Sequence, residues 1–116
     1  MYKRQNEYKG KMAETPAEAA KDAEYIFTCV GNDNDLREVT FGDNGVFKTI
    51  KKGSVYVDNT TASATIAREI YEYAKKNGFG SLDAPVSGGQ AGAENGALTV
   101  MIGGDQADFD LSLIHI

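Results

Sequence analysis

The chain has 116 residues, with 12 Lys and Arg against 17 Asp and Glu and a formal net charge of −5. Acidic groups spread along the whole length argue against nucleic acid or an anionic membrane as partner, and no apolar run approaches the roughly 18 residues of a membrane span. Cys29 is the single cysteine and His115 the single histidine, so an internal disulfide and a cysteine-based zinc site are excluded, and no metal site is expected.

Both ends read as foreign to the domain. The run Leu111-Ser112-Leu113-Ile114-His115-Ile116 can be written as the codons CTG TCT CTT ATA CAC ATC. The reverse complement of that string, read in frame, encodes Asp-Val-Tyr-Lys-Arg-Gln, and the chain opens Met1-Tyr2-Lys3-Arg4-Gln5, which fits a GTG start read as methionine. Residues 1–5 and 111–116 are therefore expected to be the translation of a transposon-type sequencing adaptor, with residues 6–110 belonging to a larger protein. His115 then leaves with the adaptor. The remaining length suits a small domain, not a two-domain enzyme.

In chain order, Thr15-Pro16-Ala17-Glu18 carries three helix-start signals: a Thr cap, Pro at the first helical position and Glu at the capping-box position. They predict a short helix over residues 16–22. Tyr25-Ile26-Phe27-Thr28-Cys29-Val30 is almost continuously apolar and predicts a strand buried on both faces, with Cys29 a buried small hydrophobe. Residues 34–40 form a second short helix with Asn32 or Asp33 as its cap, broken by Phe41-Gly42-Asp43-Asn44-Gly45. Ser54-Val55-Tyr56-Val57-Asp58 is the next strand. Ser63 starts the longest helix, with Ile66, Ile70, Tyr73 and Ala74 on one face, and Asn77-Gly78 closes it. Lys75 and Lys76 suit its negative pole. Residues 82–86 and 98–102 are two further strands, and a helix starts at Gln106.

Strands alternating with helices at this spacing predict a parallel α/β sheet with right-handed crossovers, whose ligands gather beyond the carboxyl ends of the strands. Three such ends carry Val30-Gly31-Asn32, Asn59-Thr60-Thr61 and Ser87-Gly88-Gly89, all expected on one rim. Each has a plain alternative. Gly31-Asn32-Asp33 reads equally as a turn and helix cap, Thr60-Thr61-Ala62-Ser63 as a capping cluster, and Ser-Gly-Gly as a turn between strands. A turn of the last kind also lets backbone N–H groups and a hydroxyl converge on an anion such as a carboxylate.

The run DAPVSGGQAGAENGALTVMIGGD, residues 83–105, closely resembles the substrate-binding segment of the 3-hydroxyisobutyrate (β-hydroxyacid) dehydrogenase family, and the resemblance extends over residues 15–109. It implies an incomplete Rossmann-like, doubly wound, mostly parallel sheet: the C-terminal half of an NAD(P)-binding domain, occupying residues 6–110. By position, Val30, Gly31 and Asn32 inherit a loop that contacts the dinucleotide. Many relatives carry Leu-Pro-Asn there, so Gly31 is a departure. Val57-Asp58-Asn59-Thr60-Thr61 resembles the family's Asp-x-Ser-Thr stretch, with Thr61 approaching the nicotinamide. Ser87, Gly88 and Gly89 match the substrate-carboxylate loop.

The implied reaction is hydride transfer between the C4 of NAD or NADP and the hydroxyl-bearing carbon of a small carboxylate-bearing hydroxyacid or semialdehyde, of the 3-hydroxyisobutyrate, tartronate, succinic semialdehyde or glyoxylate type. The phosphate fingerprint G-x-G-x-x-G has no match at the required spacing, and the family's lysine in G-x-x-G-x-x-x-K-x-x-x-N would follow beyond Asp110. No catalytic residue is therefore assigned here, and this piece alone is expected to be inactive. The resemblance implies a cytoplasmic, homo-oligomeric parent, with mitochondrial targeting open because an upstream leader would lie outside the chain. A different class stays open as well: a non-catalytic Rossmann-like module that binds an acidic metabolite. 6-Phosphogluconate dehydrogenase shares the architecture, but a phosphorylated substrate calls for basic groups, and none stands beside Ser87.

Overall fold

A computed structural model of the chain describes residues 10–113; residues 1–5 and 114–116, which fall in the segments expected to be adaptor translation, lie outside them. Thr15 caps the first helix, α1 (Pro16–Ala20), its hydroxyl accepting from Glu18 N at 3.1 Å, with Pro16 in the first turn. The helix stops at Ala20, short of the expected Asp22. The first strand, β1 (Tyr25–Thr28), leads into α2 (Asp33–Phe41), capped by Asn32. A 3-10 turn (Val46–Lys48) precedes β2 (Val55–Asp58). Ser63 caps α3 (Ala64–Asn77), which Gly78 closes ahead of β3 (Gly80–Asp83). The remaining elements are short: β4 (Val86–Ser87), α4 (Gly89–Glu94), β5 (Thr99–Val100), β6 (Gly103–Gly104) and α5 (Gln106–Leu113).

Strands β1, β2 and β3 run parallel in that order, with Thr28 beside Asp58 and Asp58 beside Asp83 at their carboxyl ends. Parallel neighbours need crossover connections, and here α2 and α3 supply them. Both helices pack on one face, where Leu36, Ile66, Ile70 and Ala74 meet Ile26, Tyr56, Phe47 and Phe79. The rings of Phe41, Phe47, Tyr56, Tyr73 and Phe79 extend this core through edge-on and stacked contacts about 5–6 Å apart. The opposite face is smaller, with Val55, Val57, Leu82 and Ala84 covered in part by Phe109 of α5. Helices on both faces of a mostly parallel sheet make the expected Rossmann-like, doubly wound arrangement.

Three local expectations need correction. The strand at Tyr25–Val30 is not buried on both faces: Ile26 is buried, but Phe27 is 49% exposed and Cys29 is exposed. Continuous apolarity marks a strand covered on both sides, and β1 instead forms an edge of the sheet, its second face without a layer over Phe27 among the described residues. The strand expected over residues 82–86 is two. Pro85, with no N–H to donate and a fixed φ, separates β3 from β4. The strand expected over residues 98–102 does not extend the main sheet. It shrinks to β5, which pairs antiparallel with β4 in a separate hairpin, Val86 beside Val100 and Ser87 beside Thr99. Its place in the main sheet goes to β6, antiparallel to β3. There a Cβ on Gly104 would fall 2.7 Å from Leu82 Cδ2 and 2.8 Å from Ser81 O, so this approach requires glycine.

Candidate dinucleotide and substrate site

The carboxyl ends of β1 and β2 are tied by a buried polar network. The Thr28 hydroxyl donates to Asp58 Oδ1 at 2.9 Å and lies 2.6 Å from the Tyr56 hydroxyl. Since Thr28 has one hydroxyl proton and gives it to Asp58, Tyr56 must be the donor in the second bond. Burial pushes the Tyr56 phenol well above its ordinary range against the opposing Thr28 bond, with smaller upward contributions from the charges of Asp58 and Asp83. Asp58, 4% exposed, also accepts from Thr60 N at 3.0 Å. The Thr60 hydroxyl in turn accepts from Val30 N at 3.0 Å. One chain of bonds thus runs from the core to both loops.

This chain brings the first two expected motifs together. Val30 is half-buried with its N–H already engaged, while Gly31, Asn32 and Thr61 are exposed on the adjoining loops. Asn32 caps α2 through its Oδ1, which accepts from Asp35 N at 2.9 Å, so the plain reading of that residue holds. Gly31 lies close to the start of the helix, where an added Cβ would stand 3.0 Å from the Asp35 carboxylate. The plain reading of the second motif falls on Ser63, not on Thr60 or Thr61: Ser63 Oγ accepts from Ile66 N at 3.3 Å.

The third motif follows at the end of β3. Asn59 Nδ2 donates to Ala84 O at 2.8 Å, and Ala84 N to Asp58 O at 2.7 Å, which fixes the exit of β3 against the exit of β2. Ser87 ends β4 just beyond, and Gly88 and Gly89 cap and open α4, outside the main sheet, all exposed. Gly88 and Gly89 adopt φ of 133° and 62°, a conformation open to glycine and costly for other residues. All three residues are therefore open to solvent at a turn that only glycine adopts freely. Asp83 lies beside Asp58, and burial, with the Asp58 charge added, holds its carboxyl above the usual range.

Sequence reasoning missed Thr28, Tyr56, Asp58 and Thr60 as a unit. A signal existed: Thr28 and Asp58 are the polar residues that end two apolar strands. Asp33 was missed too. Its carboxylate accepts from Ser63 N at 2.9 Å and Ser63 Oγ at 2.5 Å, joining the starts of α2 and α3. Among the described residues no cluster of metal-ligating side chains occurs, and no helix is long and apolar enough to cross a membrane.

A parallel sheet flanked by helices, with loops gathered past its strand ends, defines the class of dinucleotide-binding α/β domains. Within that class, residues 2–113 match the family described as the NAD binding domain of 6-phosphogluconate dehydrogenase, and the chain belongs to that family. An uncharacterised oxidoreductase from Shewanella frigidimarina is 59% identical over 104 residues, 90% of this chain and 36% of that protein. A probable mitochondrial 3-hydroxyisobutyrate dehydrogenase from Dictyostelium discoideum is 41% identical over 106 residues, 91% of this chain and 33% of that one. The solved 3-hydroxyisobutyrate dehydrogenase of Mycobacterium tuberculosis, with L-serine, superposes at a TM-score of 0.79 and 30% identity, covering 86% of this chain and 33% of its own. The resemblance read from residues 83–105 is upheld, and the chain spans about a third of the length of these relatives.

Proposed function

We propose that the chain is part of an NAD(P)-dependent oxidoreductase acting on a small β-hydroxyacid or its semialdehyde, with residues 6–110 a partial dinucleotide-binding domain and residues 1–5 and 111–116 adaptor translation. The observation that carries the reading is the bond between Val30 N and the Thr60 hydroxyl. It holds two loops side by side at the carboxyl ends of adjacent parallel strands, where such sheets take nucleotides. Exposed Gly31, Asn32 and Thr61 on those loops offer backbone and side-chain polar groups that fit the nicotinamide end of NAD or NADP. When bound, the nicotinamide supplies the hydride acceptor or donor.

The protein's share is binding and orientation. Ser87 donates its hydroxyl to the substrate carboxylate, and Gly88 and Gly89 add backbone N–H groups at a range that a side chain would block. On this reading the proton on the substrate oxygen is handled by a lysine outside these residues, and the 116-residue chain alone is expected to turn nothing over. The relatives named as 3-hydroxyisobutyrate dehydrogenases support this substrate class.

The test is an assay of the full-length protein that carries this segment. Each cofactor is paired with 3-hydroxyisobutyrate, tartronate semialdehyde, succinic semialdehyde and glyoxylate, and nicotinamide absorbance is followed. Turnover of at least one pair is expected, with none from the isolated chain. A full-length protein that binds dinucleotide yet turns over no member of the panel would overturn the enzymatic reading in favour of a metabolite-binding module.

A further inference from the structure

We infer that Asp58 is a positioning residue for the nicotinamide end of the cofactor. It acts through Thr28 and Thr60 to set the gap between the loop after β1 and the loop after β2. The inference rests on the dinucleotide reading above and goes beyond it, since Asp58 is buried behind both loops and is not placed to touch a ligand.

Asp58 and Thr28 are registered partners at the last positions of adjacent parallel strands, so their side chains share a face of the sheet. One carboxylate oxygen, Oδ1, accepts from the Thr28 hydroxyl at 2.9 Å and from Thr60 N at 3.0 Å. The second bond curls the chain directly after β2 and turns the Thr60 hydroxyl towards β1, where it takes the Val30 N–H at 3.0 Å. Behind Thr28 stands the Tyr56 hydroxyl at 2.6 Å, itself fully buried among the core aromatics. The loops therefore inherit their separation from the core, through an unbroken run of bonds: Tyr56 to Thr28, Thr28 to Asp58, Thr60 N to Asp58, Val30 N to Thr60.

Nothing in β-sheet geometry requires this arrangement. The backbone bond from Asn59 N to Thr28 O at 2.8 Å already continues the ladder past the strand ends, so the side-chain run is additional. Its last links act on Val30 and Thr60, the immediate neighbours of Gly31 and Thr61. A shift of the Thr60 turn moves Thr61 relative to Gly31 and Asn32, and a ligand held between them loses contacts on one side. Displacements of about 1 Å at such a site are enough to cost much of a catalyst's effectiveness.

The inference separates the two ends of the cofactor, and that separation provides the test. In the full-length protein, NADH and NADPH affinity is measured by nicotinamide fluorescence, and ADP-ribose, which lacks the nicotinamide, is measured by calorimetry. Asp58→Ala is expected to weaken binding of the preferred reduced cofactor about tenfold, the size of one lost buried bond to a charged group, and Thr60→Val about fivefold, since the Val30–Thr60 bond it removes joins neutral groups; both should leave ADP-ribose affinity unchanged. Thr60→Ser keeps the accepting hydroxyl and should restore wild-type binding, while Asp58→Asn keeps an accepting oxygen without the charge and should recover most of what Asp58→Ala loses. If Asp58→Ala fails to fold, the Thr60→Val and Thr60→Ser pair decides alone.

Unchanged cofactor affinity in folded Asp58→Ala or Thr60→Val overturns the inference, as does an equal loss for NADH and ADP-ribose, which marks a merely structural role. Wild-type protein that binds neither dinucleotide overturns the function proposed above instead.

Discussion

Ser87 stands exposed at the end of β4, followed by two glycines at positive φ. The proposed carboxylate contact is a charge-assisted hydrogen bond, worth about 1.5–3 kcal/mol, and each 1.4 kcal/mol is about tenfold in an equilibrium or rate ratio. In the full-length protein Ser87→Ala is therefore expected to lower kcat/KM by about 10–150-fold. Gly89→Val should lower it further. Open space surrounds an added Cβ at Gly89, so the penalty there is the positive φ, which a β-branched residue resists. Dinucleotide affinity should hold in both variants. An intact kcat/KM in Ser87→Ala, or an equal loss of dinucleotide binding, would return the turn to a purely structural role. At this scale the exposed residues of the candidate site could be named from sequence because glycine and hydroxyl residues cluster past strand ends. Asp58 and Tyr56 were not legible, since a polar residue at the end of an apolar strand announces nothing until its partners are adjacent in space.

Elements were legible where a local signal decides them. Thr15 and Ser63 cap their helices as their positions predict, because an N-cap needs only a side-chain oxygen three residues ahead of an N–H. Strand extent was less legible: β4 and β5 turn aside into a hairpin through pairing that no local pattern encodes. The joint between α2 and α3 shows the same limit. Asp33 reaches Ser63 across 30 residues, and the Ser63 hydroxyl, then its N–H, with a smaller contribution from Arg37, hold its carboxyl below the usual range against the opposing pull of desolvation.

The sign of the pH effect follows from that direction. A folded-state value below the unfolded one means that the contribution to stability is present above the ordinary Asp range and is lost as pH falls through the folded value. Urea unfolding of the full-length protein between pH 6 and about pH 3 should show a loss of midpoint on acidification that is smaller in Asp33→Asn. Equal acid sensitivity in both proteins would mean that the joint contributes nothing to folding.

The whole molecule is uneven in its support. One face of the sheet carries a large aromatic and aliphatic core, while the other buries only Val55, Val57, Leu82 and Ala84, with Tyr25 and Phe109 partly buried against them. β1 has a strand partner on one side alone among the described residues, and beside that edge Phe27 is 49% exposed and Cys29 is exposed. In α5, the Ser112 hydroxyl is buried with no hydrogen-bond partner among the described residues. Such a group costs about 1–3 kcal/mol. An exposed apolar edge strand is a template for pairing between chains.

The isolated 116-residue chain is therefore expected to self-associate in a concentration-dependent manner and to melt broadly. Phe27→Lys should reduce the association, because charge on an edge strand opposes pairing, at little cost to a side chain half in water already. The full-length protein should instead melt cooperatively, with Phe27 protected by the segments the isolated chain lacks. Light scattering across a dilution series, with amide NMR spectra of the wild-type chain and Phe27→Lys, provides the check. A monomeric wild-type chain with well-dispersed amide signals and a sharp thermal transition would show that the thin face and the open edge are sufficient as they stand.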